Sequence, residues 1–241
     1  MRLTPLLPLL LVLPIAGCAD LGAVHETRDD RHEFALTGDR LVIDNHGGDL
    51  RLVAGAARAV VVQRSLTGKA TLDGNASWSL SGDTLQLDVT CSGFVPDCGG
   101  LHVVGVPPGV AAVVKSDAAV RVVRLATALT ATVTGSWLKV EDPSGPLRLK
   151  AELDVDVSGA RSADVTATSG DLGVHLSFAR PPTRVKVRAA GSVQVTLPAG
   201  PETYRVAAAP GRATLPSDPA SERVVAATAG EGHTARVRKA S

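Results

Sequence analysis

Aromatic side chains make up only 2% of the 241 residues, methionine occurs once, and the 25 basic residues are met by 24 acidic ones. Few aromatics leave no stacking platform for bases, and balanced charge leaves no field to hold a phosphate backbone, so nucleic acid is not an expected partner. No window repeats apolar residues at helical spacing, which argues against a helical bundle. Catalytic signatures are missing as well. There is no Gly-x-Ser-x-Gly nucleophile elbow. Gly68-Lys69-Ala70 ends like a phosphate loop, but Gln63 takes the first glycine position and Ala70 the hydroxyl position. His25-Glu26 opens like a zinc-protease helix, yet Asp29 stands where the second histidine belongs. The histidines, at 25, 32, 46, 102, 175 and 233, have no ligand spacing, and His102 and His175 alternate with apolar neighbours as outward strand positions do. These patterns lead to no expected catalytic residue, metal or cofactor.

Cysteine is also rare, with three in the chain. Cys18 closes Ile15-Ala16-Gly17-Cys18, after a basic Arg2 and an apolar segment from Leu6 to Ile15 that contains Pro8 and Pro14. That segment is too short for a bilayer core of about 30 Å. Its residue order is that of a bacterial lipoprotein signal: small residues admit a peptidase, and the thiol accepts a diacylglyceryl group. Residues 1–17 are therefore expected to be a signal peptide. Cys18 is expected to be the lipidated first residue of the mature chain, held at the extracytoplasmic face of the bacterial cell membrane. Loss of Arg2 leaves that chain formally neutral. Cys91 and Cys98 then remain as a pair in an oxidising compartment, and a bridge across their short Gly- and Pro-containing loop is worth about 2 to 3 kcal/mol. Their spacing is not the C-x-x-C of a metal site. Residues 18–33 are polar and aperiodic and read as a tether.

From Phe34 onward the pattern has period two. Leu85, Leu87 and Val89 alternate with Gln86 and Asp88; Val193, Val195 and Leu197 alternate with Gln194 and Thr196. These are half-buried strands, separated by turns such as Asp44-Asn45-His46-Gly47-Gly48-Asp49 and Asp142-Pro143-Ser144-Gly145. The turns recur, with apolar residues at Val120, Leu138, Val155, Leu172 and Val193 marking successive units. A unit of that length is too small for a propeller blade but fits one coil of a β-solenoid, whose coils stack at about 4.8 Å. An antiparallel β-sandwich is the alternative, since hairpins also recur regularly.

Thr168-Ser169-Gly170-Asp171-Leu172, its degenerate copies at Gly135-Ser136, Glu152-Leu153 and Gly191-Ser192, Trp78-Ser79-Leu80-Ser81-Gly82-Asp83-Thr84-Leu85, the cysteine pair and Val106-Pro107-Pro108-Gly109-Val110 carry a resemblance. Together they resemble the putative-adhesin domain of actinobacterial surface lipoproteins, over about Phe34 to Val206. In that family a Thr-x-Ser-Gly-Asp-Val unit recurs; here one copy is intact. The resemblance implies a right-handed β-helix at the cell surface with an adhesin-like role, and it transfers no catalytic residue. Residues 34–241 are thus expected to be one all-β domain, with a C-terminal cap from about 198 where prolines recur and the chain ends in Arg236-Val237-Arg238-Lys239.

The most suggestive polar set is Asp154 and Asp156 on one strand with Asp164 and Asp171 in the next coil. Carboxylates from neighbouring coils that share a face would converge on a ligand, or act as an acid and base on a glycan. The calcium-binding Gly-Gly-x-Gly-x-Asp repeat is absent. The expected function is a lipid-anchored, non-enzymatic module that binds a cell-wall glycan or a surface protein. The alternatives are a polysaccharide-acting β-helical enzyme and a sensor or scaffold of a membrane signalling system.

Overall fold

Period-two alternation becomes strand after strand with every second side chain buried. The computed structural model describes residues 25–56, 58–91 and 97–241; residues 1–17, Cys18 and the first part of the expected tether lie outside the described residues. The chain runs through β1 (Thr27–Phe34), β2 (Arg40–His46), β3 (Asp49–Ala54), β4 (Val60–Gly68), β5 (Ala76–Ser81), β6 (Thr84–Val89) and β7 (Cys98–Val106). Regular two-strand coils follow: β8 (Ala111–Ser116) with β9 (Val120–Val123), β10 (Leu129–Val133) with β11 (Leu138–Glu141), and β12 (Leu147–Ala151) with β13 (Val155–Ala160). β14 (Asp164–Ser169) with β15 (Val174–Phe178) and β16 (Arg184–Ala189) with β17 (Val193–Leu197) continue the stack. The chain ends with β18 (Arg205–Ala209), β19 (Gly211–Ala213), β20 (Val224–Thr228) and β21 (Ala235–Lys239).

Each coil gives one strand to each of two sheets. The eleven-stranded sheet has the order β1-β4-β7-β3-β9-β11-β13-β15-β17-β21-β19, and the ten-stranded sheet β18-β20-β16-β14-β12-β10-β8-β2-β6-β5. Among the described residues, antiparallel pairing is confined to β1–β4, β4–β7 and β5–β6, and every other pair is parallel. The molecule is therefore a β-solenoid-like stack and not the antiparallel sandwich.

Parallel register turns the alternation into columns. Leu50, Val120, Leu138, Val155, Val174, Val193 and Ala235 stack along one sheet. Leu41, Ala112, Leu129, Leu147, Val165, Val185 and Val225 stack along the other. None is more than 2% exposed. Each buried Val or Leu contributes about 1.5–3 kcal/mol, so the core is a sum of repeated layers with little aromatic content.

Three expectations are corrected here. The fourth repeat is marked by Val174, while Leu172 is 55% exposed in the turn before it. Four residues, one more than in the preceding coil, separate β14 from β15, and the column resumes at Val174. Thr27–Glu33, assigned to the tether, belong to β1, whose alternating charges suit a sheet edge: Arg28 and Asp30 pair with each other, and Asp30 also accepts from Arg64 of β4. The region after 198 continues the stack to its end. β20 and β21 extend the stack beside β16 and β17, and β18 and β19 lie outside them, with Tyr204 fully buried in the core. His102, expected to face outward, is fully buried.

Coil order is inverted at both ends. β6–β7 lies outside β2–β3, although it follows them in the chain, and β20–β21 inserts between β16–β17 and β18–β19. Cys91, just after β6, is bonded to Cys98 at the start of β7, with Cα atoms 6.2 Å apart, so the expected pairing is present where the chain crosses between sheets.

Candidate functional site

Turns on the edge where the chain passes from the ten- to the eleven-stranded sheet carry most of the fixed polar chemistry. The strands before them end in an inward column, Asn45, Ser116, Val133, Ala151, Ser169 and Ala189, in register. Ser116 Oγ donates to the Ala118 carbonyl at 3.0 Å, and Ser169 Oγ donates to the Leu153 carbonyl. Serine in the repeat unit thus satisfies turn carbonyls inside the stack. After Ser116 and Ala151 the next position carries a carboxylate that clips the neighbouring turn: Asp117 accepts from the Gly47 amide at 2.8 Å, and Glu152 from the Gly135 amide at 2.6 Å. Gly47 has φ of 73°, and a Cβ there would collide with the Val89 carbonyl, so glycine is required.

Asp117 also meets His46, whose ring lies 3.2 Å from Asp117 and 3.2 Å from Asp44. The hydrogen bond to Asp117 raises the His46 pKa above its ordinary value, against a smaller desolvation effect. Inside the stack, His102 Nδ1 lies 3.2 Å from Asn45 Oδ1, while Asn45 donates to Ser116 Oγ at 2.9 Å and to the Gly48 carbonyl at 2.6 Å. Burial, helped by the nearby Arg64 charge, pushes the His102 pKa down to about 4. Arg64 is itself buried, donates to Asp30 at 2.7 Å and stacks 4.1 Å over the Trp78 ring.

The four aspartates do not assemble. Asp156 faces outward on β13 between Lys139 and His175, whereas Asp164 begins β14 in the opposite sheet, beside Arg184. Asp154 and Asp171 lie in turns on the other edge from Asp164. Among the described residues, no three His, Cys, Asp or Glu side chains are grouped to hold a metal ion.

Sequence reasoning missed the arrangement at the C-terminal end. Arg236 and Arg238 alternate with buried Ala235 and Val237 on β21, and Arg212 of β19 stands directly beside Arg236. A shallow cavity of about 340 Å³ is lined by Gln194, Arg212, Thr214, Arg236, Val237 and Arg238. Period-two spacing in 235–238 was the available signal.

Comparison with solved structures finds similarity at low identity. A putative adhesin from Parabacteroides distasonis is similar, with 12% identity and a TM-score of 0.46, over 90% of this chain and 98% of that one. A putative adhesin from Bacteroides fragilis shows 10% identity and a TM-score of 0.40 over 88% of this chain and 97% of that one. A putative cell adhesion protein from Clostridium sporogenes shows 9% identity and a TM-score of 0.34 over 89% of this chain and 99% of that one. No family model and no curated protein matches the chain. Likeness at this level transfers neither a ligand nor an activity.

Proposed function

We propose that the protein is a lipid-anchored, extracytoplasmic binding module, adhesin-like in role and without catalytic activity. The observation that carries this reading is the parallel register from β8 to β17, broken by a bulge in β13 between Val157 and Ala160, which repeats outward side chains at strand spacing along two broad faces. Such faces suit recognition of an extended partner at the cell surface, a wall glycan or a surface protein. Asp154 and Asp171 share one edge, while Asp156 lies on one outer face and Asp164 on the opposite one, a spread that disfavours a single acid–base site on all four. The lipoprotein-type order Ile15-Ala16-Gly17-Cys18 supports the anchor.

Two measurements test the reading. Full-length protein is expected in the membrane fraction and Cys18→Ser in the soluble extracytoplasmic fraction; equal partition of both overturns the anchor. Saturable retention on purified cell-wall or glycan fractions without released sugar is expected, and sugar release lost in Asp154→Asn or Asp171→Asn would replace the module by an enzyme.

A further inference from the structure

The outer face of the ten-stranded sheet has an order of its own. One row, read across adjacent strands in register, is Lys115, Thr132, Lys150, Thr168, Arg188 and Thr228. The row beside it is Val113, Thr130, Arg148, Thr166, Lys186 and Ala226. Cationic and hydroxyl rungs therefore alternate: Thr130 and Thr132 on β10, Arg148 and Lys150 on β12, Thr166 and Thr168 on β14, Lys186 and Arg188 on β16. The five cations of these rows are exposed and form no ion pair among the described residues. From β8 to β16 the outward acid is Asp164, at the start of β14.

The other sheet is different. There Arg121 is held by two nitrogens on Glu141, and Asp156 sits between Lys139 and His175. Cations without an acidic partner among the described residues also stand there, at Arg212, Arg236 and Arg238 on β19 and β21, so what sets the ten-stranded face apart is the regular alternation of cationic with threonine rungs. Like charges directly opposite one another on neighbouring strands repel, and the threonine rungs relieve that repulsion while keeping the cations unpartnered. Cationic rungs recur every second strand, at roughly 10 Å, and the two cations of a rung are roughly 7 Å apart.

We infer that this face binds an acidic polysaccharide lying along the stack axis, its carboxylate or sulfate groups on Lys115, Arg148, Lys150, Lys186 and Arg188 and its hydroxyls on the threonine rungs. Charge complementarity selects a polyanion. Threonines between the cations offer both donors and acceptors, which a sugar chain uses and a bare polyphosphate does not. The exposed large apolar residues, Leu101, Trp137 and Leu172, are absent from this face, so it lacks the wedges that seat a protein on a bilayer. The inference deepens the binding-module reading by naming the ligand class, and it is independent of the anchor at Cys18.

The test uses full-length protein in detergent micelles at physiological salt, with polygalacturonate as the probe and dextran and polyphosphate as comparisons. Polygalacturonate is expected to bind saturably and dextran not to bind. The variant Arg148→Gln/Lys150→Gln/Lys186→Gln/Arg188→Gln is expected to weaken binding about tenfold or more. Arg31→Gln/Arg51→Gln/Arg121→Gln/Lys139→Gln removes the same charge from the opposite sheet and is expected to change binding less than about twofold. Equal weakening by both variants, tighter binding of polyphosphate than of polygalacturonate, or binding of dextran overturns the proposal. Thr166→Val/Thr168→Val keeps every charge and is expected to weaken polygalacturonate binding; no change overturns the role of the hydroxyl rungs. Failure of all binding with Cys18-dependent membrane partition intact refutes this site and leaves the anchored module standing.

Discussion

Two histidines in the same turn region experience opposite environments, and each leads to a distinct pH signature. His102 is buried with a pKa near 4, so between that value and its ordinary 6.5 the unfolded chain binds a proton that the folded chain refuses. Stability is therefore complete above pH 6.5 and falls as pH drops toward 4, by up to about 3 kcal/mol. His46 has a raised pKa from Asp117, so its contribution is present below its ordinary value and fades as pH rises through the raised one. Nitrogen NMR of the imidazoles is expected to find His46 titrating above 6.5 and His102 neutral down to about 4. A His102 midpoint near 6.5 would contradict the buried assignment. Arg64 supplies a related prediction. Asp30→Asn leaves its guanidinium short of a charge partner and is expected to cost about 1–3 kcal/mol in chemical denaturation, whereas Arg64→Met, which removes the charge and keeps the stem, is expected to cost less.

At the level of strands and turns, the stack depends on columns and clips. Leu138→Ala opens a cavity between Val120 and Val155 and is expected to destabilise by about 2–5 kcal/mol, read from the denaturation midpoint. Asp117→Ala removes the carboxylate bonded to the Gly47 amide and to His46; it is expected to cost about 1 kcal/mol and to return the His46 pKa toward its ordinary value. Much of this level was legible in advance. Alternation named the strands, and the spacing of Val120, Leu138 and Val155 named the coil. The misplaced Leu172 marks the limit: an apolar residue in a lengthened turn resembles the start of a strand until register shows Val174 in the column. His102 deceived for a different reason. Its apolar neighbours are compatible with either phase, and only Asn45 and Ser116, distant in sequence, make an inward histidine tolerable. β1 was hidden because charged edge strands carry no apolar period, and the alternating cationic rows were hidden because they exist only across strands.

On the scale of the whole molecule, repeats that contact only their neighbours lend themselves to fraying from the ends, and this chain has placed internal segments there. Deleting residues 224–241 removes β20 and β21, the strands that β18 and β19 pair with, so both outer coils are expected to be lost together. Hydrogen exchange of the truncated chain should then show residues 205–213 unprotected, with protection retained from β8 to β15; persistent protection of β18 would refute the inserted order.

The same inversion determines what a pulling force meets. β21 lies between β17 and β19 and is bonded on both sides. Tension on Lys239 would have to draw a strand out of the middle of a sheet, opening two ladders of hydrogen bonds at once where a marginal strand would give up one.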